Sequence, residues 1–359
     1  MQQDRKRFSV GVARRDVSCL IKTQGLRWWL FLGLSFLGSA QDSSTAADGP
    51  TLGMPLNVER LIRWLPEDTE TLVVARNATL TINDAWVALK WPEIGVANAI
   101  YDLDVHSHKS LEPLLGKKID LIVRGGRNYE GVSSFGSLRS ESSTILLFPA
   151  DLGDAGRKLI EAFRKNAKSV RTILNREVYV FPSPIKKEPW VKKTTWEGAY
   201  FVLLKPDTLL YATSDRYLEE VLRRVNDDRG IRALPDDLPE WKYVNFAAPA
   251  WVVRHFPKGG RDVRAIGMTA ALSDQRFQVI YVPKPGDALD SGDVYKQWFT
   301  GSVPVTPQQR EKFKLESRHD GTISFSTSAP PDIEADMLIW FWQCTRPSPG
   351  VFSGHSLEP

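Results

Sequence analysis

An α+β fold of two similar lobes is what this chain predicts, each lobe a mainly antiparallel sheet with helices packed on it. Three observations lead there. Residues 265–272 and 277–282 are apolar strand-like runs separated only by Ser273-Asp274-Gln275-Arg276, and strands joined so tightly must run antiparallel. Between such runs lie segments with one apolar face at helical spacing. Finally, two patterns recur. Leu65-Pro66-Glu67-Asp68 returns as Leu234-Pro235-Asp236-Asp237, and Asp207-Thr208-Leu209-Leu210-Tyr211-Ala212-Thr213-Ser214 is echoed by Gly321-Thr322-Ile323-Ser324-Phe325-Ser326-Thr327-Ser328. Recurrence of this kind predicts an internal duplication.

Residues 1–40 read as an export leader. Arg5, Lys6, Arg7, Arg14, Arg15, Lys22 and Arg27 precede or flank an apolar run that opens at Trp28 and closes at Leu37. Gly38-Ser39-Ala40 then supplies the small residues a signal peptidase needs, so cleavage is expected after Ala40. The run is shorter than the ~20 residues a bilayer-crossing helix takes. The alternative is an uncleaved segment, Trp28 to Leu37, acting as a membrane anchor. Arg14-Arg15 superficially resembles a twin-arginine export signal, but Asp16-Val17-Ser18 fits that pattern poorly.

Removing the leader changes the electrostatic reading. The whole chain has 47 Lys and Arg against 43 Asp and Glu, a formal charge of +4. The leader holds seven of the cations and two of the anions, which leaves 40 against 41 and a net charge of −1. A neutral mature chain is not expected to bind nucleic acid. Cys19 leaves with the leader, so Cys344 is the sole mature cysteine and no internal disulfide can form. Its neighbours Trp340, Phe341 and Trp342 predict a buried, unreactive thiol.

Residues 41–55 are small and polar and read as a flexible tether. The first lobe, 56–233, opens with a helix over 57–65, apolar at Val58, Leu61, Ile62 and Leu65, which Pro66 ends. A turn at 65–69 feeds a strand over 71–76. A strand follows at 119–123, and a helix over 154–167 is apolar at Ala155, Leu159, Phe163 and Ala167. Ser214 is a natural N-cap for a helix over 215–225, with Tyr217, Leu218, Val221, Leu222 and Val225 on one face. The second lobe, 234–345, is read with strands at 243–246, 265–272, 277–282 and 321–328 and a closing helix at 333–341. The tail 346–359 reads as disordered. Both lobes are expected to run strand, helix, two strands, helix, two strands, helix. The spacings of the two echoes, 169 and 114 residues, give the first lobe extra residues, expected mainly in loops at 125–143 and 183–198.

Leu65-Pro66-Glu67-Asp68-Thr69 before a strand, and residues 207–214 leading into a helix, resemble a class of uncharacterised exported bacterial α+β proteins. These open with a Leu-Pro-x-Asp-Thr strand and repeat an α+β unit. The resemblance covers two short structural patterns and implies fold and export, with no catalytic residue to carry over.

The best chemical candidate is Asp102-Leu103-Asp104-Val105-His106-Ser107-His108. In an extended segment Asp102, Asp104, His106 and His108 share one face, a donor set suited to a divalent metal such as zinc. The bland reading is the solvated face of an amphipathic strand. The Gly125-Gly126-Arg127-Asn128-Tyr129-Glu130-Gly131 stretch reads as a flexible loop after the 119–123 strand. It lacks the Gly-Lys-Ser/Thr ending of a phosphate-binding loop. Lys186, Lys187, Trp190, Lys192 and Lys193 interleave cations with an aromatic, as an envelope or polyanion contact would, or as a solvated hairpin tip would. Ten tryptophans follow the leader, and most are expected in the core. His255 and His319 stand alone in sequence and read as structural or exposed. No cofactor is implied beyond that metal alternative. The functional expectation is an exported, non-enzymatic binding or structural protein of the cell envelope, with an exported metal-dependent hydrolase as the rival.

Overall fold

The computed structural model describes residues 53–83, 86–90, 97–99, 108–128, 140–182, 198–227, 232–256, 265–273, 276–292, 294 and 313–328. All belong to one compact unit, Thr51–Pro359. Helix α1 (Leu56–Ile62) leads into β1 (Thr71–Asn83), β2 (Trp86–Lys90) and β3 (Ala97–Ala99). Then come the short helix α2 (His108–Leu111), a 3-10 turn (Glu112–Leu114), β4 (Lys118–Asn128) and β5 (Ser140–Leu147). Helix α3 (Gly153–Asn166) is followed by β6 (Ser169–Ile173), β7 (Arg176–Pro182), β8 (Gly198–Lys205), β9 (Thr208–Ala212) and α4 (Asp215–Asn226). A second 3-10 turn (Pro239–Tyr243) precedes β10 (Ala250–His255), β11 (Ala265–Ser273), β12 (Arg276–Pro283), β13 (Phe313–Ser317) and β14 (Ile323–Ser328).

The fold is α+β. Its described strands form one 14-stranded sheet, with β2 and β3 paired off the main path, and every pairing in it is antiparallel. The main path runs β13-β14-β12-β11-β10-β1-β4-β5-β9-β8-β7-β6. The central seam is β1 against β10, with Val73 opposite Val252. From it, β4, β5, β9 and β8 follow outward on one side and β11, β12, β14 and β13 on the other. The echoed segments 207–214 and 321–328 thus supply strands at the same remove from the seam. The halves are joined in one sheet where two separate sheets were expected. The hairpin β6–β7 extends the first side, so four strands lie between α3 and α4 where two were expected.

Both sheet faces are covered near the middle, which explains why β9 is a run of five buried residues rather than an alternation. Leu209 and Tyr211 enter one core together with Leu159 and Phe163 of α3. Leu210 and Ala212 enter the other, with Leu61 of α1 and Tyr217, Leu218, Val221 and Leu222 of α4. The helix α4 begins as its sequence predicts, the Ser214 hydroxyl accepting from the Tyr217 N–H at 3.1 Å.

Two local expectations are corrected. Residues 243–246 are not a strand. Pro239 opens a 3-10 turn that needs no N–H at its first position, and the strand begins at Ala250. Residues 125–128 are not a loop but the end of β4. A methyl group on Gly125 would sit 2.7 Å from Leu65 Cδ1 and 2.9 Å from the Tyr217 hydroxyl, so the glycine is there to let two buried side chains close on the strand. The expected leader, the closing helix at 333–341 and the tail at 346–359 lie outside the described residues.

Candidate functional site

The largest assembly of ionisable side chains among the described residues grows from that corrected strand. Arg127 stands one turn of the pleat beyond Gly125 and is opposite Glu141 in the β4–β5 register. Its side chain is 4 % exposed and that of Glu141 is 5 % exposed. The guanidinium donates from Nε and Nη2 to Glu141 Oε2 at 2.9 and 2.8 Å. Nη1 donates to Asp68 at 2.6 Å and to Glu220 at 2.8 Å, and Nη2 reaches the other Glu220 oxygen at 3.0 Å. The second oxygen of Glu141 accepts from the Ser214 hydroxyl at 3.1 Å.

The Tyr217 ring lies under the guanidinium at 5.0 Å. Its hydroxyl shares a 2.9 Å hydrogen bond with Thr69, which donates to the Pro66 carbonyl at 2.6 Å. One buried arginine thus ties the Leu65-to-Thr69 turn, the β4–β5 hairpin and the start of α4 together. These are the two sequence patterns singled out above, and the group that joins them lies in the stretch read as a loop.

The chemistry of this clasp is to hold. Burial disfavours the Arg127 charge, but its hydrogen bonds to the carboxylates of Glu220, Asp68 and Glu141 outweigh that and raise the pKa. Burial pushes Glu220 up, while Arg127 and Arg216 pull it further down, so it stays ionised. Burial also keeps the Tyr217 phenol protonated far above neutrality. None of these three groups is poised to exchange a proton near pH 7.

A pH dependence follows. The folded pKa of Glu220 lies below its unfolded value of about 4.3. Its contribution is therefore complete above that value and is lost as pH falls through the lowered folded pKa. Denaturant midpoints measured from pH 6 down to about pH 3 should drop less steeply in Glu220→Gln than in the wild type. Parallel profiles would show that Glu220 contributes no acid-linked stability.

The second Leu-Pro turn is built alike. Leu238 N donates to the Pro235 carbonyl at 3.3 Å, as Thr69 N donates to Pro66 at 3.1 Å. A side chain caps the same carbonyl in each case, here Trp241 Nε1 at 2.7 Å. Arg232 stacks on the Trp241 ring at 4.7 Å and pairs with Glu59 at 2.8 Å and with Asp236. His255, read as solitary, has a partner: its Nδ1 lies 2.9 Å from Oε1 of Glu240, which is fully buried. Gly267 makes room, since a Cβ there would lie 1.8 Å from that oxygen. No sequence signal links these residues, because the 3-10 turn that carries Glu240 meets His255 and Gly267 only once β10 and β11 are paired.

Of the metal candidates, Asp102, Asp104 and His106 lie outside the described residues, and His108 is the first residue of α2. Among the described residues no group of three or more His, Cys, Asp and Glu is placed to hold a metal ion. Lys186, Lys187, Trp190, Lys192, Lys193 and Cys344 also lie outside them. The three tryptophans whose side chains are described, Trp64, Trp241 and Trp251, are buried. No helix of the described residues is long and apolar enough to cross a membrane, which leaves strands untouched.

The fold and this clasp define an α+β protein organised around one antiparallel sheet. No family model matches the chain, and no curated protein does. Among solved structures, TP0453 in its crystal form III is similar over 77 % of this chain and 97 % of that one, at 7 % identity and a TM-score of 0.38. A likeness at that score carries no argument about this chain.

Proposed function

We propose that this chain is an exported, non-enzymatic binding or structural protein of the cell envelope. One observation carries the reading: the two sequence patterns that stand out most meet in the Arg127 clasp, whose groups are hydrogen-bonded to one another and serve architecture. With these patterns serving architecture, the reading gives the chain a role in recognition rather than turnover. The address rests on the basic leader, its apolar run and Gly38-Ser39-Ala40.

Mass spectrometry of the protein from its host, combined with metal analysis, tests both halves. An N-terminus at Gln41 and sub-stoichiometric metal are expected. Intact peptides spanning Trp28 to Leu37 in the membrane fraction would overturn the cleaved, exported form. Stoichiometric zinc that disappears in His106→Ala would overturn the non-enzymatic reading in favour of a metal-dependent hydrolase.

A further inference from the structure

The main sheet is open, and one end of its path is β13. On its inner side β13 pairs with β14, Leu315 opposite Phe325. Among the described residues no strand pairs with its outer side. The turn between the two strands decides which backbone groups face outward. Arg318 N donates to the Thr322 carbonyl at 2.9 Å, and Gly321 N donates to the Arg318 carbonyl at 3.0 Å. Arg318 and Thr322 therefore form a hydrogen-bonded pair of the ladder, and such pairs alternate along antiparallel strands. Lys314 and Glu316 accordingly turn their N–H and C=O toward β14, and Leu315 and Ser317 turn theirs outward.

The side chains alternate as well. Lys314 and Glu316 share one sheet face and are exposed, while Leu315 is half-buried on the other, against the core that holds Phe277 and Phe325. Opposite Lys314 and Glu316 on β14 stand Ser326 and Ser324. Among the described residues neither charge has an ion-pair partner. A lone lysine on an edge strand keeps other strands away. Here a glutamate two residues on changes the sense, because Lys314-Leu315-Glu316 is its own complement when turned end for end.

We propose that β13 is a self-association edge: two copies of this chain pair β13 with β13, antiparallel about a two-fold axis at Leu315, and so continue the sheet from one copy into the other. In that register the outward N–H and C=O of Leu315 meet those of Leu315 of the second copy. Lys314 faces Glu316 of the second copy, and Glu316 faces its Lys314, both as non-hydrogen-bonded pairs, in which side chains lie closest. The symmetric registers centred on Lys314 or Glu316 would set like charges against each other. Charge thus selects a second copy in one register. Each β13 offers five residues, far fewer than the roughly 20–30 a side of a standard interface, so the dimer is weak and concentration-dependent.

Sedimentation velocity of the full mature chain between about 10 μM and about 1 mM, a span that covers weak association, tests the edge. The wild type is expected to pass from monomer to dimer as concentration rises, and the dimer to weaken at high salt. Glu316→Lys and Lys314→Glu each leave two like charges on the edge, so each variant alone should associate about tenfold or more weakly. An equimolar mixture of the two variants should recover the dimer, since each charge again meets its opposite. That recovery also shows that both variants are folded. A wild type that stays monomeric throughout, variants that dimerise as the wild type does, or a mixture no more associated than its components would overturn the proposal. Species that keep growing past the dimer would also overturn it, because they mark a head-to-tail contact between β13 and the β6 edge of the next copy.

Discussion

Replacing Arg127 by methionine is expected to lower folding stability by about 3–5 kcal/mol, the cost of stripping a buried carboxylate of its cation. The loss falls unevenly on its three partners. Asp68 is 64 % exposed and returns to water easily, and Glu220 keeps Arg216 at 3.3 Å. Glu141, at 5 % exposure, retains only the Ser214 hydroxyl among the described partners. Glu141 therefore sets the size of the effect. Two controls follow from that assignment. Arg127→Lys should recover only part of the loss, since an ammonium cannot match the paired Nε and Nη2 bonds. Adding Glu141→Gln to Arg127→Met should restore stability, because the stranded charge is removed. Urea denaturation at pH 7 measures all three. A loss below about 1 kcal/mol for Arg127→Met, the range of surface ion pairs, would refute the clasp as a buried linkage.

Phe163→Ala should cost a comparable amount, about 3–5 kcal/mol, for a different reason. Phe163 has 0 % exposure and docks α3 onto the sheet. Its ring lies 5.3 Å from Tyr179, 5.7 Å from Phe181 and 5.1 Å from Phe201. Two adjacent strands, β7 and β8, contribute those three rings, so truncation leaves a cavity that no single side chain can fill by changing rotamer. Phe163→Leu keeps most of the volume and should cost clearly less. Denaturant midpoints check both, and equal costs for the two variants would show that the site relaxes and that the aromatic cluster is not what holds α3.

The helices were the most legible part of the chain. The predicted 154–167 and 215–225 agree with α3 (Gly153–Asn166) and α4 (Asp215–Asn226) to within a residue at each end. Both are set by local signals: a 3.6-residue apolar period and, for α4, the Ser214 cap. The failures share a cause in contacts distant along the chain. Glycines at 125 and 126 signal flexibility when read locally, yet Gly125 is small because Leu65 and Tyr217 converge on it. The strand expected at 243–246 was displaced by the turn that Pro239 opens and by the packing of Phe246 on Trp251 at 5.4 Å.

The clasp was half legible. Asp68 and Ser214 lie in the patterns that stood out, but Arg127 and Glu141 become partners only through the β4–β5 register. Register is a property of paired strands and not of either strand alone. The Glu240–His255 pair was hidden for the same reason, the β10 histidine meeting a carboxylate from a turn.

The central claim is that one guanidinium holds both sequence patterns in place. Amide hydrogen exchange followed by mass spectrometry, comparing wild type with Arg127→Met under native conditions, tests it most directly. The account predicts that the 65–70 turn and the first turns of α4 lose protection together, while the β6–β7 hairpin keeps its own. Loss confined to one of the two segments, or protection unchanged in both, would contradict it.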